Sequence, residues 1–376
     1  MTIEINGVCE EQFLPLKEAF VANFDAGLEI GASVAVMHQG RSVVDLWAGY
    51  ADPERTLPWQ QDTIVCVYST TKAMVITCIL KLVSDGKIDL DEPLATYWPE
   101  FGQAGKSGIT TKHVLLHQAG MPGFTEAQTF EAMHDWDYVI DTLARQEPWF
   151  EPGSQACYHA LTFGFILGEV ARRLTGRLLS EYFVEEFARP AGIDFHIGLK
   201  DPAILGRVAK FGLPEVSSPP FVEGMAARAF DSVAEGDWES WANQSAEMPS
   251  ANGFGNARSI AHLGAILAMN GELDGRRYLS PEIVEMASTE QSYMDCEPMG
   301  LVRFGLGFGL HSEGFSSPTP TSFHWGGYGG SSIVMDCSKG VSFGYAQNNL
   351  TLREKVDEDV RLDRLWDALG SVMEGL

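Results

Sequence analysis

The chain has 376 residues, 45% apolar and 20% charged, the composition of a folded globular protein long enough for two domains or one large one. A formal net charge of −25 argues against a nucleic-acid partner, because phosphate binding needs a basic face, and mildly disfavours an acidic substrate. The N-terminus MTIEINGVCEEQF lacks a basic and then apolar leader, and no apolar run reaches about 18 residues; neither signal peptide nor membrane span is expected, and the cytoplasm is the default location.

Residues 30–49, IGASVAVMHQGRSVVDLWAG, set two β-rich runs around His38-Gln39-Gly40-Arg41, which predicts a hairpin. A helix follows over 69–85, stopping at Asp85-Gly86. A short helix is predicted over 110–117, closed by Ala119-Gly120-Met121-Pro122, and an amphipathic one over 162–175, ended by Gly176. From 201 to 256, stretches such as SSPPFVEG and GDWESWANQ predict long irregular loops near a cleft. Helices are expected over 258–271 and 281–288, strands over 303–311, 331–336 and 341–347, and a last helix over 354–373.

Strands at both ends with helices between them predict an α/β (α+β) fold. One antiparallel sheet would come from residues 1–66 and 290–376, flanked by helices. A mostly helical unit over 67–289 would carry the cleft loops, with the site at the interface of the two. Six cysteines (Cys9, Cys66, Cys78, Cys157, Cys296, Cys337) stand far apart with no C-x-x-C, and read as buried free thiols.

Two S-x-x-K strings occur. Ser84-Asp85-Gly86-Lys87 spans a helix stop, where its side chains would point apart. In VYSTTKAMVI, Ser69 lies at or near the start of a helix, and Lys72 three residues on shares its face, with Cβ atoms about 5–6 Å apart. A lysine in apolar surroundings can lose its proton near neutral pH and serve as base to the serine, while the helix N-terminus favours developing negative charge. The spacing fits equally an N-cap serine beside a solvated lysine.

Other strings carry blander readings. Gly105-Lys106-Ser107 imitates a phosphate loop, but Glu100 stands where the first glycine is required, and 102–108 reads as an exposed loop. His113 and His117 have metal-ligand spacing without an accompanying Glu, and read as structural; no metal site is expected. The acidic 89-DLDEP-93 reads as solvated surface.

Around Ser69 and Lys72 the chain resembles the penicillin-recognising serine hydrolases, the serine β-lactamase and penicillin-binding-protein-like superfamily, in four ordered blocks covering most of residues 10–350. The segment 114-VLLHQAGMPGF-124 is similar to the family's LLxHxSGLP stretch, and 151-EPGSQACYHALTFGFILGEV-170 to its PGxxxxYSNxGYxLLG stretch, which puts Tyr158 at the Y-x-N tyrosine. Next, 251-ANGFGNARSIAHLGAILAMNGELDGRRYLSP-281 looks like the helical segment before the last strands, and 324-HWGGYGGSS-332 stands where K-T-G or H-x-G belongs.

The departures narrow what the resemblance implies. Tyr158-His159-Ala160 lacks the asparagine, and the K-S-G at 106–108 precedes Tyr158 and cannot be the third motif. The third motif reads as His324-Trp325-Gly326 or as the Trp325-Gly326-Gly327 of family VIII carboxylesterases; Ser331, six residues after Trp325, favours the second. Strand alternation then puts Trp325 and Gly327 on one face and His324 on the other. An apolar wall where a cation would bind a carboxylate suits an uncharged ester.

The expectation is a serine hydrolase of short-chain carboxylic esters, acting on a small molecule without cofactor through an acyl-enzyme on Ser69. Lys72 and Tyr158 would be general acid and base, with the Tyr158 pKa lowered by the lysine, and the N–H groups of Ser69 and Tyr328 would form the oxyanion hole. Trp325, Gly326, Gly327, Phe124 and His159 would line the substrate site. A class C-like β-lactamase, a short-oligomer amidase and an acyltransferase are the alternatives on this fold.

Overall fold

The computed structural model describes residues 3–213, 223–350 and 359–376. Residues 217–222 of SSPPFVEG and the first five residues of the predicted 354–373 helix therefore lie outside the described residues.

The main sheet has ten strands in the order Ile5–Cys9, Arg41–Gly49, Gly31–His38, Val341–Gln347, Ser332–Asp336, Phe323–Gly326, Gly309–Leu310, Gly300–Phe304, Ser292–Glu297 and Ala156–Cys157. Every neighbouring pair is antiparallel except the last, where Cys296 faces Ala156 in a parallel register. The predicted hairpin forms on a two-residue turn, with Gln39 and Gly40 both at positive φ (50° and 73°), the pairing that matches strand twist.

Val341–Gln347 is buried at all seven positions because helices cover both faces of the sheet. On one face Leu14–Asp25 and Val360–Glu374 pack together over Val34, Leu46, Phe343 and Tyr345. On the other, Ala257–Ala268 crosses the strands so closely that a Cβ on Gly344 would land on the Ala257 carbonyl.

Thr71–Ser84 is buried on nearly every side, packed by Thr162–Thr175 and Leu179–Phe183, so it forms the centre of the helical layer rather than a surface helix. A three-stranded sheet of Val65–Cys66, Gly253–Gly255 and His196–Ile197 leads into it.

Several expectations are corrected. The predicted 303–311 strand is two strands, because Gly307 at φ 90° and a bond from Gly305 N–H to the Phe308 carbonyl (2.8 Å) fold it into a hairpin. The 201–256 region is less irregular than composition implies, with helices Gly224–Asp231 and Trp241–Ser245. The 102–108 segment is no exposed loop at its centre: Lys106 is buried, donating to the Ala144 carbonyl (3.0 Å) and to that of Gln146. All six thiols are free, but Cys9, Cys66 and Cys337 are only half-buried. Among the described residues no helix is long and apolar enough to cross a membrane.

Candidate active site

Ser69 sits on a kink. Tyr68 just before it has φ 44°, uncommon outside glycine and costing about 1–3 kcal/mol, and it turns the chain from Val65–Cys66 into a single 3-10 turn, Tyr68–Thr70. That turn runs into Thr71–Ser84, so the first N–H groups of the turn have no carbonyl behind them. Val67 N–H bonds to the Gly253 carbonyl (2.8 Å), and Gly253 N–H to Thr71 Oγ1 (2.8 Å), which pins the kink to the 253–255 strand.

Lys72 is fully buried. Its Nζ lies 3.3 Å from Ser69 Oγ, 2.7 Å from the Ala160 carbonyl and 3.0 Å from the Ser250 carbonyl. Burial alone holds its pKa well below that of a free lysine. A neutral amine has two N–H donors and one lone pair, and two close carbonyls with one more distant hydroxyl match that inventory. Ser250 is itself fixed: its hydroxyl accepts from Gly164 N–H (2.7 Å) and donates to the Leu161 carbonyl (2.7 Å).

Tyr158 presents its ring to the amine, 4.9 Å from ring centre to Nζ, and its main chain is held by the Glu297 carbonyl (2.8 Å). This corrects the expected lowering of its pKa. Burial pushes the phenol above its usual range, and this outweighs the opposite pull of the nearby Ser69 hydroxyl and Trp325 indole. The cation that was to favour phenolate faces the ring instead.

Phe323–Gly326 brings in Trp325, whose ring stands 6.0 Å from that of Tyr158 and stacks on His117 at 5.7 Å. His324 points to the opposite face, against Phe315 and Trp366, as strand alternation requires.

After Gly326 the chain turns through Gly327–Ser331, closed by Gly327 N–H to the Ser331 carbonyl (2.8 Å). Ser331 Oγ donates to the Val67 carbonyl (2.8 Å) and meets Thr70 Oγ1 at 2.9 Å, so this loop is stitched to the Ser69 turn. A Cβ on Gly327 would land on the Val67 carbonyl oxygen and on Ser331 Oγ; only glycine allows the approach. Among the described residues, the N–H groups of Ser69 and Tyr328 donate to no acceptor. The Tyr328 ring is half-exposed and meets Tyr68 edge-on at 5.5 Å.

Two expected substrate-lining residues are not at the cleft surface. His159 is fully buried behind Tyr158, with Nε2 accepting Met121 N–H (3.1 Å) and Nδ1 2.6 Å from the Cys157 carbonyl; burial lowers its pKa to about 4. Phe124 is only 2% exposed, and it backs a 460 Å³ hollow with Thr125, Gly224 and Arg228 rather than standing at a mouth. His113 caps its helix reciprocally with Thr110 (3.2 Å each way), and His117 accepts His159 N–H at 3.1 Å.

The structure thus brings Ser69, Lys72, Tyr158, Trp325 and the 326–328 backbone together. Sequence reasoning missed the Ser250 and Ala160 carbonyls and the Ser331 hydroxyl. For Ser250 the one available signal was the PSANG cluster, which marks a turn but not what it faces.

The fold and this constellation define a β-lactamase/transpeptidase-like hydrolase. Residues 20–366 match the family model described as Beta-lactamase, and the chain belongs to that family. It is 33% identical over 358 residues to the "Esterase/beta-lactamase LipL" of Mycobacterium tuberculosis, covering 92% of this chain and 83% of that one. A solved family VIII carboxylesterase has a TM-score of 0.87 at 38% identity, covering 98% of this chain and 100% of the other. A penicillin-binding protein homolog from Caulobacter crescentus gives 0.91 at 34% identity with the same coverage.

Proposed function

We propose that the protein hydrolyses short-chain carboxylic esters through an acyl-enzyme on Ser69. Its kinship with esterases and with a family VIII carboxylesterase makes it a carboxylesterase-type hydrolase. The mechanism is our reading of the site, and one observation carries it: a buried lysine, held by two carbonyls, 3.3 Å from the serine hydroxyl.

In this reading neutral Lys72 takes the Ser69 proton as Oγ attacks the ester carbonyl carbon. The N–H groups of Ser69 and Tyr328 stabilise the oxyanion, a contribution worth about 10²–10³ in rate per donor. The raised phenol pKa supports Lys72 as base and Tyr158 as a neutral relay, passing a proton to the departing alkoxide. Water then adds to the acyl carbon, returns its proton through the same groups and frees Ser69. No cofactor enters this scheme. The substrate is proposed to be a small, uncharged molecule met in the cytoplasm, lying against Trp325, Gly326 and Gly327.

The test is turnover of p-nitrophenyl butyrate with labelling by a fluorophosphonate. Ser69→Ala is expected to abolish both, and an active Ser69→Ala protein overturns the reading. The LipL name joins esterase to β-lactamase, which keeps β-lactam hydrolysis as a second reading. Nitrocefin turnover above that of p-nitrophenyl butyrate would favour it.

A further inference from the structure

We propose that Arg361, at the start of the C-terminal helix, is a positioning residue for the oxyanion loop: it holds the Gly329 carbonyl and thereby fixes where the Tyr328 N–H points. The inference rests on the Ser69–Tyr328 reading given above.

The loop is closed at its ends by Gly327 N–H to the Ser331 carbonyl (2.8 Å) and by Gly330 N–H to the Gly327 carbonyl (3.0 Å), but its middle is glycine. Gly329 and Gly330 follow one another at φ 82° and 106°, and neither has a side chain to anchor it. The Gly329 carbonyl instead accepts from Arg361 Nη2 at 2.9 Å and from Gln347 Nε2. That carbonyl sits two peptide planes beyond the Tyr328 N–H, across a glycine, so releasing it loosens the backbone that carries Tyr328.

Arg361 is built to stay in place. It is 2% exposed, and its Nη1 donates to the Asn349 carbonyl at 2.8 Å. Nε and Nη2 meet Asp359 at 3.0 and 2.9 Å, and Glu29 lies 3.5 Å from Nη1. Glu29, also buried, accepts from the Tyr345 hydroxyl on the sheet. The guanidinium is thus clamped from the helix terminus, from the 341–347 strand and from the segment before the Gly31–His38 strand. If Arg361 served only to dock the helix, well-packed apolar side chains would do so as well or better. What they cannot do is donate to Gly329.

Arg361→Met, Arg361→Lys, Gln347→Leu and Leu365→Ala are compared for kcat and KM on p-nitrophenyl butyrate. Leu365 is buried on the same helix but touches no part of the loop's hydrogen bonding, so its truncation reports helix loosening alone. Arg361→Met is expected to lower kcat about 10–100-fold with KM within about threefold, the mark of an interaction made in the transition state. Arg361→Lys is expected to restore part of kcat. Leu365→Ala is expected to lower Tm while keeping kcat within about threefold.

The proposal is overturned if Arg361→Met keeps kcat, or if Leu365→Ala loses as much. Should Arg361→Met fail to fold, Gln347→Leu decides, because it removes the second donor to the same carbonyl and leaves the buried ion cluster intact. An expected loss of about tenfold in kcat supports the proposal, and an unchanged kcat overturns it. Ser69→Ala is assayed alongside. If it is inactive while Arg361→Met and Gln347→Leu are fully active, only this inference falls; if it is active, the underlying reading falls and this inference with it.

Discussion

Lys72 Nζ stands 3.3 Å from Ser69 Oγ in a buried space where the amine's other partners are two backbone carbonyls. Among the described residues no carboxylate compensates, and burial drives the amine toward neutrality. The pH profile of kcat/KM should therefore rise through the depressed Lys72 pKa and reach its plateau well below pH 10. The Tyr158 phenol, raised above its usual range, should add no limb before strongly alkaline pH. Activity that is maximal in acid and declines toward neutral pH contradicts this assignment. Linkage gives a second readout. The folded pKa lies below the unfolded one, so the unfolded chain binds more protons between the two, and stability rises with pH across that window. Lys72→Met should flatten this contribution in urea titrations run at several pH values.

Gly326 and Gly327 are neighbours with opposite tolerances. A Cβ on Gly327 meets the Val67 carbonyl and Ser331 Oγ, the two groups that stitch the loop to the Ser69 turn, whereas one on Gly326 has nothing closer than 3.5 Å. Gly327→Ala should cost about 10²-fold or more in kcat, and Gly326→Ala less than about tenfold. Equal losses in both variants would refute the assignment of the Val67–Ser331 stitch.

His159 should behave as a structural residue. His159→Phe strands the buried Met121 N–H and the Cys157 carbonyl, a loss of about 2 kcal/mol or more in urea unfolding. KM for p-nitrophenyl esters should change little. A large rise in KM with unchanged stability would return His159 to the substrate-lining set.

The two lysines of the decoy strings should separate. Lys106→Ala uncaps two buried carbonyls and should destabilise by about 1–3 kcal/mol while the folded fraction keeps its kcat. Lys87→Ala, at an exposed position, should change neither quantity. Thermal melts and active-site titration check both.

Much of this architecture was legible because it is local. The His38–Arg41 turn, the 162–175 helix and the strands ending at Asp336 and Gln347 each follow from a period or a turn residue within a few positions. Of the candidate site, the residues Ser69, Lys72, Tyr158 and Trp325 that the structure brings together were legible by identity and order. Hidden from sequence were contacts made by main-chain atoms or between remote segments. The Ser250 carbonyl beside Lys72 has no residue signature, since any residue carries one. Lys106 misled for the opposite reason: glycines on both sides of it suggest exposure, and only the tertiary path of 144–146 makes the pocket that buries its amine. The phenol of Tyr158 was misjudged because sequence gives proximity to a lysine but not which part of the ring the lysine faces.

The bond between Thr70 and Ser331 joins residues 261 positions apart. Arg361, which reaches the same loop over 32 residues, belongs to the last helix of the chain. Loops as long as the one between Thr70 and Ser331 close late and slowly, because their entropy is spent before the contact gives anything back. A chain emerging from the ribosome would therefore carry Ser69 and Lys72, already close along the chain, for most of its synthesis without the loop proposed to complete the site. Hydrolytic competence would then arrive only with the last strands and the final helix, so that activity in a refolding time course reports the completed chain rather than its parts.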